Sequence, residues 1–214
     1  MKHQWQRVVV MSALVLVLGA PALLAQKYEV NAYGGGIWPA RTSVGDLKDG
    51  AIWGARGGVF VDSSFELEGA FGYINHFNID GVNVKSRGHL WEFAGNYNFS
   101  KKDWPVFRGF TPFVVVGAGA IRTRLKDTDS YSFVTGRTVT STPFGSFVTT
   151  DRVNVEDGNT FFAVSYGGGI KSVKILGPLG LRLDVRGRTL PNYYHTSPTW
   201  LEATAGVNFM WGER

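Results

Sequence analysis

The sequence predicts an all-β fold: eight antiparallel strands closed into an up-and-down barrel that crosses a membrane. Three observations carry this reading. Eight segments alternate apolar and polar residues with period two, each about 10 to 12 residues long, which is what a strand tilted by about 45° needs to cross a bilayer. The connections between them alternate short and long. Trp and Tyr gather near the segment ends, where interfacial belts form.

The segments run in order as follows. Lys27 to Ile37 carries Glu29 and the run Tyr33-Gly-Gly-Gly36. Ala51 to Val61 sets Trp53, Ala55, Val59 and Val61 against Arg56. In Phe65 to Ile74, Phe65, Leu67, Phe71 and Tyr73 alternate with Glu66 and Glu68. Gly88 to Phe99 sets Trp91, Phe93, Tyr97 and Phe99 against Glu92, Asn96 and Asn98. Thr111 to Arg122 and Thr160 to Lys171 hold Gly117-Ala-Gly119 and Tyr166-Gly-Gly-Gly169, whose small residues leave the facing of both strands open. In Leu179 to Thr189, Leu179, Leu181, Leu183 and Val185 alternate with Arg182, Asp184, Arg186 and Arg188, four charges on one face. Thr199 to Trp211 puts Leu201, Ala203, Ala205, Val207, Phe209 and Trp211 on one side and Glu202, Thr204, Gly206, Asn208 and Met210 on the other.

Periodicity alone accepts two architectures. A soluble barrel or sandwich turns the oily face inward, whereas a transmembrane barrel turns it out to lipid and lines its lumen with the polar face. The second is favoured by Trp38, Trp53, Trp91, Trp200, Trp211, Tyr28, Tyr73 and Tyr97 near strand ends. It is also favoured by the connections. Asp62 to Ser64, Ser100 to Phe110 and Ser172 to Pro178 fall on one side; Trp38 to Gly50, Asn75 to Arg87, Thr123 to Asn159 and Leu190 to Pro198 fall on the other.

The first 25 residues read as a secretory signal peptide. Lys2 and Arg7 precede the apolar run Val8 to Leu18, Gly19-Ala20-Pro21 breaks it, and cleavage is expected after Ala25, leaving a barrel domain of residues 26–214. Of 22 Lys and Arg and 17 Asp and Glu, the leader takes two cations, so the exported chain carries 20 against 17, or +3, and nucleic acid is not an expected partner. Cys is absent from the 214 residues, which removes disulfides, thiolate metal sites and Cys nucleophiles.

The end of the chain, Thr204-Ala-Gly206-Val-Asn-Phe209-Met-Trp211, resembles the C-terminal signal that outer-membrane barrels present to the barrel-assembly machinery, here followed by Gly212 to Arg214. With the Gly-rich runs and the alternating strands, the exported chain resembles the small eight-stranded bacterial outer-membrane barrels of the OmpA transmembrane-domain and OmpX type. The resemblance implies the outer membrane of a Gram-negative envelope, contact with its lipid, and an assembly role for Gly206, Phe209 and Trp211. The few residues after Trp211 leave no place for a peptidoglycan-binding domain, so cell-wall tethering is not expected.

With the oily face outward, the lumen receives Glu29, Arg56, Glu66, Glu68, Glu92, Lys171, Arg182, Asp184, Arg186, Arg188 and Glu202. An eight-stranded barrel is just wide enough for its own side chains, so these charges are expected to pair and plug it. A narrow ion or small-solute channel is the alternative, a selective pore lined by Arg182, Arg186 and Arg188. The connection 123–159 is too long for a structureless loop. Its β-prone pieces Tyr131 to Thr135, Thr138 to Thr140 and Phe147 to Thr150, with a turn at Gly136-Arg137, suggest that the fifth and sixth strands run on as a protruding hairpin, whose edge could take an extracellular partner; the alternative is a mobile Ser/Thr-rich surface loop without a specific partner.

Catalysis fits poorly. His195-Thr-Ser197 has the His-x-Ser spacing of lipid A deacylases, but Ser197 precedes Pro198 and Glu202 comes only five positions on, where that family's acid comes considerably later, on the next strand. The carboxylate pair Glu66 and Glu68 is better explained by lumenal partners, and the exported histidines His76, His89 and His195 have no ligand spacing. The expected function is a non-enzymatic scaffold or surface-interaction barrel without cofactor or metal.

Overall fold

The computed structural model describes residues 27–39, 48–77, 85–99, 109–142, 145–172, 175–194 and 197–212. The leader through Ala25 and His195 lie outside them. The described residues form ten strands: β1 (Lys27–Pro39), β2 (Gly50–Phe60), β3 (Phe65–Ile74), β4 (Ser86–Asn98), β5 (Phe110–Leu125), β6 (Ser130–Thr142), β7 (Gly145–Glu156), β8 (Thr160–Ser172), β9 (Leu179–Thr189) and β10 (Thr199–Trp211). Eight of them close a barrel in the order β1-β10-β9-β8-β5-β4-β3-β2, while β6 and β7 make a separate two-stranded sheet. The seam is β1 on β10, with Tyr28 opposite Trp211 at one end and Pro39 opposite Trp200 at the other. Closure leaves the barrel no free edge, the condition under which a β-structure can sit in hydrocarbon.

The alternation resolves with the oily face outward. Phe93, Val116, Phe162, Leu183, Val185 and Leu201 stand exposed around the wall, while all eleven charges expected in the lumen are buried inside. This is the inverse of a water-soluble barrel. The two strands left open by their small residues fall into place: β5 sends Phe113, Val115 and Ile121 inward and Val114, Val116 and Arg122 outward, and β8 sends Ala163, Ser165 and Lys171 inward.

Two aromatic belts bound the exposed band. At the short-turn end Tyr28 stacks on Trp211 with ring centres 5.6 Å apart, and Tyr97 meets Phe99 at 5.3 Å. At the long-loop end Trp53 packs on Tyr73 at 4.7 Å, Tyr73 on His89 at 5.4 Å and His89 on Trp91 at 6.2 Å. Along β1 the distance from Tyr28 to Trp38 is about 23 Å at ~3.3 Å per residue and ~45° tilt, matching an apolar band about 25 Å tall.

One belt residue expected from the sequence is elsewhere. Trp200 is only 2% exposed and faces the interior. The physical reason is phase: Leu201, Ala203 and Ala205 take the outward positions of β10, so their neighbour Trp200 points in.

The hairpin also differs from the sequence reading. β6 and β7 are a sheet of their own, not prolongations of the two barrel strands. The β5–β8 ladder stops at Arg122 opposite Thr160, because Gly158 takes a left-handed φ of +82° and Asp157 turns back to accept hydrogen bonds from Leu125 N–H and Arg124 Nη1, both at 2.8 Å. Within the hairpin the chain does not turn at Gly136-Arg137. The strand passes through with a register shift between Val134 and Gly136, and the reversal falls between Thr142 and Gly145.

Candidate functional site

The interior is built in tiers. Its middle is a charge network in which β9 supplies Arg182, Asp184, Arg186 and Arg188 at every second position. Arg56 of β2, Lys171 of β8 and carboxylates of β1, β3, β4 and β10 complete it. Among the described residues five cations face six carboxylates, Glu29, Glu66, Glu68, Glu92, Asp184 and Glu202, and all eleven are at most 4% exposed.

Asp184 is the hub, with Arg56 and Arg182 each at 2.8 Å and Arg186 at 3.0 Å. Glu68 takes Arg182 at 2.6 Å and Arg186 at 3.0 Å; Glu92 takes Arg186 at 2.6 Å and is also paired with Arg188. Glu202 lies 3.1 Å from Arg188. Lys171 bridges Glu66 at 2.6 Å and Glu29 at 2.9 Å, and Arg182 reaches Glu29 at 3.3 Å, which joins the two groups into one network. Because β3 and β9 stand on opposite sides of the eight-strand ring, the Glu68 pairs with Arg182 and Arg186 span the lumen from wall to wall. Arg56 also stacks on Tyr33 at 3.8 Å and donates to Thr204 at 3.1 Å. So dense a set of partners is what makes buried charges tolerable; a single one left alone would be costly.

Above the charges, at the long-loop end, sits an apolar cap that the sequence reading missed. Ile37, Ile52, Ile74, Leu90, Ile121 and Trp200 converge inside the barrel. Phe77 and Tyr193 close over them, Phe77 meeting Tyr193 at 5.9 Å and Trp200 at 6.0 Å edge-on. Burial pushes the Tyr193 phenol well above its ordinary value. A signal for the cap was present: Ile37-Trp38, Ile52-Trp53, Tyr73-Ile74, Leu90-Trp91 and Trp200-Leu201 are adjacent apolar pairs, and all lie where strands meet the long loops. Alternation is lost there because both faces of the strand are apolar.

Toward the short-turn end amides are interleaved with the charges: Asn96 stands opposite Glu66 on the β3–β4 ladder, and Asn31 follows Glu29 by two residues on β1. Asn96 Nδ2 donates to Glu68 at 3.1 Å and Asn98 Nδ2 to the Ser64 carbonyl at 3.1 Å. Both amide atoms of Asn31, and the amide oxygens of Asn96, Asn98 and Asn208, are buried without a protein partner.

The residues read as an assembly signal split in two. Phe209 and Trp211 face outward at the short-turn end. Gly206 faces the seam, where a Cβ would stand 2.6 Å from both the Ala32 carbonyl and the Asn31 amide nitrogen, so close approach of β1 to β10 needs glycine here.

The catalytic candidates do not converge. Ser197 Oγ donates to the Pro191 carbonyl at 2.8 Å on the surface, while Glu202 is buried in the lumen on Arg188. Glu66 and Glu68 go to different cations, Lys171 and the Arg182 and Arg186 pair. Among the described residues no three His, Asp or Glu side chains are grouped as metal ligands.

Outside the barrel stands the hairpin β6–β7. Among the described residues each of its strands pairs only with the other, so both outer edges are open. Val139 and Val148 sit directly opposite one another and are exposed.

No protein-family model and no curated protein matches this chain. Solved structures do. Neisserial surface protein A is 11% identical with a TM-score of 0.58, covering 85% of this chain and 96% of that one. The outer membrane protein OprG from Pseudomonas aeruginosa is 8% identical at a TM-score of 0.54, covering 88% and 97%. The N-terminal β-barrel domain of OprF from Pseudomonas aeruginosa is 16% identical at 0.52, covering 87% and 98%. At these identities the likeness is one of fold: a small eight-stranded barrel of the bacterial outer-membrane type.

Proposed function

We propose that this protein is a non-enzymatic barrel of the bacterial outer membrane, closed to solutes, that holds the β6–β7 hairpin out from the cell surface as an interaction element. The short-turn end faces the periplasm and the long-loop end the exterior. Gly206, Phe209 and Trp211 serve recognition by the barrel-assembly machinery, and the exported chain starts after a cleaved leader. The observation that carries the proposal is the separate two-stranded sheet with two open edges, mounted on a barrel whose interior is bridged wall to wall. An open edge offers backbone donors and acceptors to a partner strand, and the exposed valines offer it an apolar contact.

The test is adherence. Cells of a non-adherent Gram-negative host displaying the full chain are compared with cells displaying a variant whose residues 130–156 are replaced by a short Gly-Ser turn, at equal surface level. Loss of adherence to host-cell monolayers in the variant is the expected result; equal adherence, or none from either, overturns the adhesive part of the proposal.

A second reading is a narrow channel, favoured by the buried amide atoms without protein partners that stand among the lumenal charges. Groups of this kind are ordinarily met by ordered water. In this reading water reaches the charges from the periplasmic side, and the Ile and Trp cap is the barrier.

A further inference from the structure

The outer wall carries a column of cations apart from the closed lumen, of which, among the described residues, Arg124 alone is ion-paired to the base of the hairpin, through Asp157. On β4 and β5 the outward cross-strand pairs climb from Phe93 opposite Ala118 and Trp91 opposite Ala120 to His89 opposite Arg122 and Arg87 opposite Arg124. Lys85 and Lys126 flank the top, tied by the Lys126 N–H to the Lys85 carbonyl at 3.0 Å. The surface passes from apolar to cationic in a single step, immediately above the belt formed by Tyr73, His89 and Trp91.

Like charges directly opposite one another destabilise a ladder unless something neutral or anionic lies between them. The chain supplies little. Asp157 pairs with Arg124 at 2.8 Å, and its carboxyl is held below the usual range first by the Leu125 N–H, then by Arg124, and more weakly by Arg122, whose guanidinium lies beside Gly158. Asp127, Asp129 and Glu156 also stand at the base of the hairpin, yet among the described residues neither Arg87 nor Arg122 is within ion-pair distance of a carboxylate. Among the described residues the outward positions Trp53, Tyr73, Phe162 and Leu201, at the belt on β2, β3, β8 and β10, are uncharged.

Height identifies the ligand class. From Trp91 the climb along the membrane normal is about 5 Å to the level of His89 and Arg122 and about 9 Å to that of Arg87 and Arg124, at ~3.3 Å per residue and ~45° tilt, and the long Arg side chains of the upper pair reach back down into the layer. The headgroup layer outside the hydrocarbon is roughly 5 to 8 Å deep on each side. Guanidinium groups at this level, set above Trp and Tyr rings, meet the phosphates of lipid headgroups, and Arg binds phosphate oxygens in a two-pronged fashion.

We propose that Arg87, Arg122 and Arg124 form a binding site for the phosphate groups of an outer-leaflet lipid, with His89, Lys85 and Lys126 at its rim. This rests on the outer-membrane reading. The partner is a phosphorylated glycolipid seated on the β4–β5 sector with its chains against Trp91 and Phe93.

The experiment uses barrel extracted from membranes of a Gram-negative host expressing the full chain, with the heat-dependent gel shift as the check of the folded barrel. Binding of bisphosphorylated lipid A and of its dephosphorylated form is measured by native mass spectrometry from detergent. The triple variant R87Q/R122Q/R124Q is the comparison, and R152Q, on the hairpin, is the control. The expected result is binding of the phosphorylated form alone by the wild type and by R152Q, and retention on the order of 100-fold weaker in the triple variant, taking the per-charge contribution of basic side chains near a membrane surface. Equal binding of both lipids, or equal binding by the triple variant, overturns the site. Displacement by millimolar inorganic phosphate assigns the site to free phosphate and overturns the lipid. Absence of the protein from the membrane fraction, with no shifted species, is instead a failure of the outer-membrane reading.

Discussion

Replacing Lys171 by Met tests how the lumen tolerates its charges. Lys171 lies 2.6 Å from Glu66 and 2.9 Å from Glu29, all three buried, with its ammonium also 4.8 Å from the centre of the Phe60 ring. Met keeps most of the volume, so the loss is electrostatic. Glu29 retains Arg182 at 3.3 Å, but among the described residues Glu66 is left with only the Asn98 amide at 3.4 Å. Removing one partner of a buried pair in this way costs about 3–5 kcal/mol. With a urea m-value of roughly 2 kcal/mol/M, the unfolding midpoint falls by about 2 M. The assay is urea titration of the barrel in detergent, read by the gel shift and Trp fluorescence. A second change, Glu66→Gln, removes the orphaned charge and is expected to recover more than half of the loss. A Lys171→Met midpoint within about 0.3 M of wild type, a difference too small for any buried-charge penalty, refutes the reasoning, as does a double variant no better than the single.

Three further outcomes follow from the geometry. Trp200→Ala empties the centre of the cap and is expected to cost about 3–5 kcal/mol in the same titration, where a surface belt Trp would cost far less. Gly206→Ala crowds the β1–β10 seam and lowers the stability of purified barrel by about 1–3 kcal/mol, whereas Phe209→Ala lowers the amount of folded barrel in cells with little effect on purified protein; the two are separated by comparing membrane yield with urea midpoint. Asp62 accepts hydrogen bonds from the Ser64 and Phe65 N–H groups, which hold its carboxyl below the usual range. Its folded pKa being the lower one, the contribution to the β2–β3 turn is present above the unfolded Asp value of about 3.9 and is lost as pH falls through the folded value. Protection of the Ser64 amide, measured against its intrinsic exchange rate at each pH, should fall on acidification in that window, and Asp62→Asn should abolish the change.

How much of this was legible in the residues differs by tier. Strong alternation, as in Leu181-Arg182-Leu183-Asp184-Val185-Arg186, assigns faces residue by residue, and the barrel strands lie where such patterns run. Strands β5 and β8 could not be oriented from sequence, since Gly and Ala carry little preference for either face. The cap was hidden for the opposite reason: near the long loops both phases are apolar, so Trp200 reads as a belt residue when only its neighbours on β10 decide its direction. Which acid meets which base was also illegible, because β9 reaches β3 across the lumen and not along the sheet. The hairpin's independence turns on Gly158 and Asp157, local features whose effect depends on where β5 ends.

The closed lumen is tested most directly by planar-bilayer conductance of barrel that shows the heat-dependent gel shift. The account predicts no discrete openings from wild type, and openings only when the cap and a wall-to-wall pair are removed together, as in W200A with R186A. Reproducible openings from the wild type, altered by R182A or R186A alone, would contradict it and make transport the function.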